Sequence, residues 1–157
     1  MAAKIWYPFY PEGVPQEINA EQYVNIPEMI QEAVHLYANR PAYSNMGKTI
    51  TFNTLDQLSN NFGAYLQKNL GLRPGDRIAL MMPNCLQYPV ALFGALKAGL
   101  VVVNTNPLYT PREMEHQFND SGATAIVIVE NFAANLQKIL PNTPIKHIIT
   151  TGLGDML

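Results

Sequence analysis

Three histidines (His35, His116, His147), one cysteine (Cys85) and twelve carboxylates are the residues from which this chain could build a catalytic centre. No serine sits in a G-x-S-x-G elbow, so an acyl-transfer triad has no nucleophile position. His35 falls beside the apolar stripe of a helix, His116 in mid-helix and His147 at a strand start. All three read as packing or surface side chains. Cys85 falls just inside a helix start, where the dipole lowers a thiol pKa. No histidine is near it in sequence to act as base, and it reads as a small residue packed behind Pro83-Asn84. Neither H-x₃-H nor D-x-D spacing occurs, so no metal site is assigned.

Phosphate chemistry needs glycines that let backbone amides approach an anion, and neither GxGxxG nor GxxxxGK[ST] is present. The stretch Thr150-Thr151-Gly152-Leu153-Gly154-Asp155 has part of that composition but no helix after it, and it reads as a surface turn. The most informative loop is Asn104 to Glu113, NTNPLYTPRE. Thr110, Pro111 and Glu113 form a complete helix start, with cap, proline at the first helical position and a capping-box glutamate. Asn106-Pro107-Leu108-Tyr109 ahead of it is a rigid turn that presents an aromatic hydroxyl at the carboxyl end of a strand. Asn106 and Tyr109 are the candidate substrate-groove residues. The plainer reading has Tyr109 pinning the loop to the next helix.

The elements that must position this loop follow from apolar periodicity. Residues 1–25 form an extended arm crowded with Trp6, Tyr7, Phe9 and Tyr10 and interrupted by Pro8, Pro11 and Pro15. A helix is expected over residues 27–38 and a hairpin over 42–52 with Gly47 at its turn. A second helix over 53–70 is capped by Asn53, with Asp56 three residues on, and closed by Gly71. Arg77 to Met81, Leu100 to Asn104, Thr124 to Val129 and Ile145 to Thr150 read as strands. The helices between them span Pro83–Ala98, Thr110–Ser121 and Phe132–Leu140. Strands that are apolar without alternation are buried on both faces, the mark of a parallel sheet between helix layers. The expected fold is therefore α/β, three-layered, with a mainly parallel sheet, flanking helices and a short hairpin. Strand order is not readable from the sequence.

The bulk properties narrow the class further. The 157 residues are 48% apolar and 14% charged, below the usual quarter, which leans toward a surface that another part of a protein covers. The ten Lys and Arg are scattered and the net charge is −2, so nucleic-acid binding has no electrostatic footprint. One cysteine excludes an internal disulfide and suits the reducing cytoplasm. No apolar run reaches the roughly 20 residues of a membrane helix. The aromatic arm, with Lys4 as its one basic residue, leaves open packing on its own domain, a homodimer contact or a peripheral membrane association at the inner face, the weak charge favouring the first two.

The words PGDRIAL, MMPNCLQYPVALFGALKAG, VVVNTNPLYTPRE and FNDSGATAIVI resemble the AMP-forming acyl-CoA synthetases of the adenylate-forming superfamily, in particular bacterial long-chain fatty acid:CoA ligases. The resemblance extends from about Asn25 to Thr150. It implies that residues 26–157 are the N-terminal, incomplete part of the large adenylate-forming domain, and that the remainder of the enzyme is this part's partner. A full-length enzyme of this kind joins a long-chain fatty acid to ATP as an acyl-adenylate and passes the acyl group to CoA, using Mg2+. Its Ser/Thr/Gly-rich loop, hinge and lid with a catalytic lysine have no counterpart here. No catalytic, cofactor-binding or metal residue is carried over, and the isolated chain is expected to be inactive and to self-associate through an exposed apolar face. The alternative is a non-catalytic flavodoxin-like binding module. A receiver domain is disfavoured because it needs an acidic pair after its first parallel strand, where Met82-Pro83-Asn84 stand, and an Asp after its third, where Glu130-Asn131 stand.

Overall fold

The computed structural model describes residues 4–157. Its chain order is α1 (Ile26–Tyr37), β1 (Pro41–Asn45), β2 (Lys48–Thr51), α2 (Phe52–Lys68), β3 (Arg77–Met81), α3 (Gln87–Lys97), β4 (Val101–Asn104), α4 (Pro111–Ser121), β5 (Ala125–Val129), α5 (Ala133–Ile139) and β6 (His147–Thr151). β3 to β6 form one four-stranded sheet in the order β4-β3-β5-β6. All three pairings are parallel, with Ile78 opposite Ala125 and Ile126 opposite Ile148. β1 and β2 form the separate antiparallel hairpin.

Two core clusters line the two faces of the sheet. One joins Leu66, Ile78, Leu80, Ala95 and Val127 beneath α2 and α3; the other joins Met81, Met114, Phe118, Ile126 and Ile128 beneath α4 and α5. A third holds α1 and the hairpin to α2 and α3 through Ile30, Ile50, Leu55 and Phe93. Burying one such side chain contributes about 1.5–3 kcal/mol, which is why the apolar face of each helix dictates where it docks.

Several local expectations give way to tertiary context. The arm is not simply extended: Tyr7–Phe9 make a single 3₁₀ turn, and Glu17 accepts hydrogen bonds from both Lys4 and Tyr7. Residues 1–3 of that expected arm lie outside the described residues. The hairpin turn uses two left-handed residues, Met46 at φ 47° as well as Gly47 at φ 82°, because a two-residue turn that matches strand twist needs both. The cap of α2 is Thr51, whose hydroxyl accepts from the Thr54 amide at 3.1 Å, and Asn53 lies inside the helix. Asp56 instead reaches Lys97 on α3 at 2.7 Å. The helix after β3 begins at Gln87, not at Pro83, since Asn84 and Cys85 are held in a turn beside the hairpin. β4 is not buried on both faces along its length, because it is an edge strand and Val101 stays 48% exposed.

A close helix–helix contact lies where α2 crosses α3. A Cβ built on Gly94 would stand 2.8 Å from the Ser59 carbonyl oxygen, and one built on Gly63 would stand 2.8 Å from the Gly94 carbonyl oxygen. Both collisions are with backbone, which cannot swing away. The approach lets Lys97 donate to Asp56, to the buried Ser59 hydroxyl at 2.8 Å and to Asn60 at 2.9 Å. Gly94→Ala is therefore expected to destabilise the fold by about 1–3 kcal/mol through overpacking, measured by urea unfolding. An unchanged unfolding midpoint would show that the helices do not touch here.

Candidate functional site

In this strand order the connections leave β3 in opposite directions, first to β4 and then across to β5. In open α/β sheets ligands bind outside the carboxyl ends of the strands at such a reversal. Four loops converge on that edge. They follow β3 (Met82 to Leu86), β4 (Thr105 to Thr110), β5 (Glu130 to Phe132) and β6 (Gly152 to Asp155).

The loop after β3 meets the hairpin, where Asn45 Nδ2 donates to the Asn84 carbonyl oxygen at 3.1 Å. Between them lies a cleft of about 210 Å³ lined by Tyr43, Asn45, Cys85 and Tyr88 among others. Cys85 is a free thiol, 6% exposed, at the floor of this region rather than inside a helix start. The loop after β4 is anchored from both helix layers. Tyr88 on α3 donates its hydroxyl to Asn104 Oδ1 at 2.9 Å, and Gln117 on α4 donates Nε2 to the Asn104 carbonyl oxygen at 3.0 Å. Thr105, 4% exposed, donates its amide to the Leu80 carbonyl oxygen at 3.0 Å and keys the loop into the sheet.

Asn106 and Tyr109, the two residues singled out in the sequence, close one turn. The Tyr109 amide donates to the Asn106 carbonyl oxygen, and the Leu108 amide donates to Asn106 Oδ1, both at 3.0 Å. Asn106 Oδ1 is thus occupied by its own loop. The Tyr109 ring is half-buried against the core cluster of Met81, Met114 and Phe118, while Leu108 at the tip is 80% exposed.

Thr110 caps α4 in a complete capping box. The Glu113 carboxylate accepts from the Thr110 amide and hydroxyl, each at 2.8 Å, and the Thr110 hydroxyl accepts from the Glu113 amide. The backbone hydrogen bond from Thr110, followed by that of its hydroxyl, holds the Glu113 pKa below the usual carboxylate range. The turn after β6 is closed by Asp155, whose carboxylate accepts from the Gly152 amide at 2.8 Å and the Thr151 hydroxyl at 3.0 Å. Gln87, 9% exposed, donates to the Gly152 carbonyl oxygen at 2.8 Å and ties this turn to α3. A Cβ on Gly152 would lie 3.3 Å from Glu130 Oε1, so a second carboxylate stands beside this residue.

Sequence reasoning missed Tyr88, Asn104, Gln117 and Gln87. Their hydrogen bonds join residues 13 to 65 positions apart and carry no local signal. The Gln117 Oε1 atom is buried without a hydrogen-bond partner. Among the described residues no group of three or more His, Cys, Asp or Glu is placed to hold a metal ion, and no helix is long and apolar enough to cross a membrane.

The chain folds as an open, parallel three-layer α/β unit. The family model described as AMP-binding enzyme matches residues 30–156, and the chain belongs to that family. It is 57% identical over 98% of its length to the long-chain-fatty-acid--CoA ligase of Escherichia coli O6:H1 and spans 28% of that protein. An anthranilate CoA ligase solved with anthranoyl-AMP superposes at a TM-score of 0.78, with 25% identity, over 82% of this chain and 25% of the ligase. The N-terminal domain of FACL13 from Mycobacterium tuberculosis superposes at 0.76, with 26% identity, over 81% of this chain and 33% of that domain. The chain thus matches the N-terminal part of long-chain fatty acid–CoA ligases, and the receiver and flavodoxin-like readings are set aside.

The capping box gives a pH prediction. The folded pKa of Glu113 lies below its unfolded value, so its stabilisation of α4 is present above the unfolded carboxylate range and is lost as pH falls through the lowered folded pKa. An NMR titration of the Glu113 carboxyl is expected to give a midpoint below 4.5. A midpoint at or above that value would show that the box is not formed in solution.

Proposed function

We propose that this chain is the N-terminal part of a long-chain fatty acid:CoA ligase. The whole protein would activate a long-chain fatty acid with ATP, release pyrophosphate, and transfer the acyl group from AMP to the thiol of CoA. The observation that carries this reading is the 57% identity across 98% of the chain to a ligase of that specificity. Bound Mg2+ and ATP would supply a leaving group and charge neutralisation for attack by the fatty acid carboxylate. The loops described above do not fit a magnesium triphosphate. The Gly152 amide is taken by Asp155, Glu130 adds a second negative charge beside it, and the loops after β3 and β4 contain no glycine. Nucleotide chemistry is assigned to residues outside this chain, and the chain alone to no catalysis.

What these residues offer instead is a stiff wall. The turn Asn106–Tyr109 is anchored through Asn104, Thr105 and the α4 capping box, and it presents exposed Leu108 beside the half-buried Tyr109 ring. An apolar edge with one hydroxyl suits the side of an acyl or CoA groove, and Asn106 and Tyr109 are assigned to it. The exposed Ile5, Trp6 and Phe9 of the arm supply a surface for association with a second copy or with a membrane interface. With Lys4 engaged by Glu17, the electrostatic attraction to anionic lipid is weak, which favours the homodimer. The assigned compartment is the cytoplasm, where ATP and CoA are available.

The full-length protein is expected to release AMP and pyrophosphate when given a long-chain fatty acid, ATP, Mg2+ and CoA. The 157-residue chain alone is expected to show neither turnover nor calorimetric binding of ATP. Absence of AMP release from the full-length protein would overturn the assignment.

Tyr109→Phe tests the wall in that enzyme, because it removes a hydroxyl and keeps the packed ring. A groove hydroxyl making one hydrogen bond predicts a rise in KM corresponding to about 1 kcal/mol, with the melting temperature nearly unchanged. A lowered melting temperature with unaltered kinetics would assign Tyr109 to pinning the loop.

A further inference from the structure

Asn104 ends β4 with one half of its side-chain amide in use and the other half free. Val102 packs into the core beneath α2 and α3, and strand alternation puts Asn104 on the same face of the sheet. There its Oδ1 accepts from the Tyr88 hydroxyl at 2.9 Å, while its main-chain oxygen accepts from Gln117 on the opposite layer at 3.0 Å. The residue is exposed, and among the described residues its Nδ2 donates to no protein group. An amide has its acceptor and its donors on opposite sides, so the Tyr88 contact turns Nδ2 outward. A donor held in one orientation by its own protein loses less freedom when it meets a ligand.

The setting selects the acceptor. Tyr88 and Gln117 are neutral, and neither ion pair of the described residues includes Asn104. Phosphate and carboxylate groups are captured by charged donors or by clustered backbone amides, whereas a single side-chain amide suits a neutral carbonyl oxygen. Tyr88 also lines the cleft of about 210 Å³ that it shares with Tyr43, Cys85 and Pro89, so the Asn104 amide stands at the margin of that cleft. The cleft is smaller than the roughly 300–1,000 Å³ of sites that enclose a drug-sized molecule, and it suits a slender chain. Of the three substrates in the reaction proposed above, the fatty acid carries a carboxylate and ATP carries phosphates. Only CoA has a slender chain with amide carbonyls, its pantetheine arm.

We propose that Asn104 Nδ2 donates to an amide carbonyl of the CoA pantetheine arm, and that Tyr88 is the positioning residue that aims it. The proposal deepens the groove reading of the β4 loop and rests on the ligase assignment. That assignment is checked by AMP release from the unmodified enzyme, so either can fail while the other stands.

The test uses the full-length enzyme carrying Asn104→Asp, with initial rates measured as CoA, ATP and fatty acid are varied in turn. A carboxylate still accepts from Tyr88 and keeps the shape of the side chain, but it donates nothing. The KM for CoA is expected to rise about three- to tenfold, as for one lost hydrogen bond, with the melting temperature and the KM values for ATP and fatty acid nearly unchanged. The rise should persist at high salt, which separates a lost donor from repulsion between the new carboxylate and the CoA phosphates. Tyr88→Phe keeps the test valid if Asn104→Asp folds poorly. It should raise the KM for CoA in the same direction, and it should add nothing when combined with Asn104→Asp, because the donor it aims is then gone. An unchanged KM for CoA in Asn104→Asp would leave the residue as a strut between helices and overturn the proposal. Equal rises for all three substrates, or a rise that disappears at high salt, would overturn it too.

Discussion

The pairing of β3 with β5 is the constraint on which the rest of this structure depends. Four of the five β3 residues and all five of β5 are buried, and each strand has a parallel neighbour on both sides. A strand in that position has no solvent face, so helices must cover both faces of the sheet and parallel connections must carry them there. α2 and α3 pack against one face and α4 and α5 against the other, and the strand reversal that makes a ligand crevice follows from the same connectivity. The two-glycine contact between α2 and α3 serves that cover. It brings the second helix close enough for Lys97 to be held by Asp56, Ser59 and Asn60, with the Lys97–Asp56 pair largely shielded from water.

At the carboxyl edge of the sheet, polar side chains spend most of their hydrogen-bonding capacity on the protein itself. Asn106 closes its own turn, Glu113 caps α4, Asp155 closes the turn after β6, and Asn104 joins two helices. Such an edge is rigid and geometrically defined but offers few free donors to an anion. That division suits the proposed reading, in which these loops shape a groove and another part of the enzyme handles the nucleotide.

The strand positions, the parallel sheet, the helix start at Thr110 and the hairpin were legible in the sequence because each rests on short-range physics. Continuous apolar runs, a proline after a threonine, and a glycine between two β-rich segments act within a few residues. Asn106 and Tyr109 were legible as a turn at a strand end for the same reason. Elsewhere tertiary contacts overrode a local rule. Asn53 is a good cap by residue type, but with the hairpin docked against α2 the cap is Thr51 and Asn53 lies inside the helix. Pro83-Asn84 is a fair helix start, but Asn45 from the hairpin holds the Asn84 carbonyl and the helix begins at Gln87.

By itself the sequence determined which segments are strands and helices, that the sheet is parallel and doubly covered, and which enzyme family the loop wording belongs to. Those properties are encoded in periodicity and in residues a few positions apart. Only the tertiary structure decided the order β4-β3-β5-β6, the exposure of Val101 and Ile148 at the two edges, and the convergence of Tyr88 and Gln117 on Asn104. Each of these depends on which strand lies beside which. A continuous apolar run such as Val101–Val103 or Ile148–Ile149 reads the same whether its outer side meets another strand or remains open.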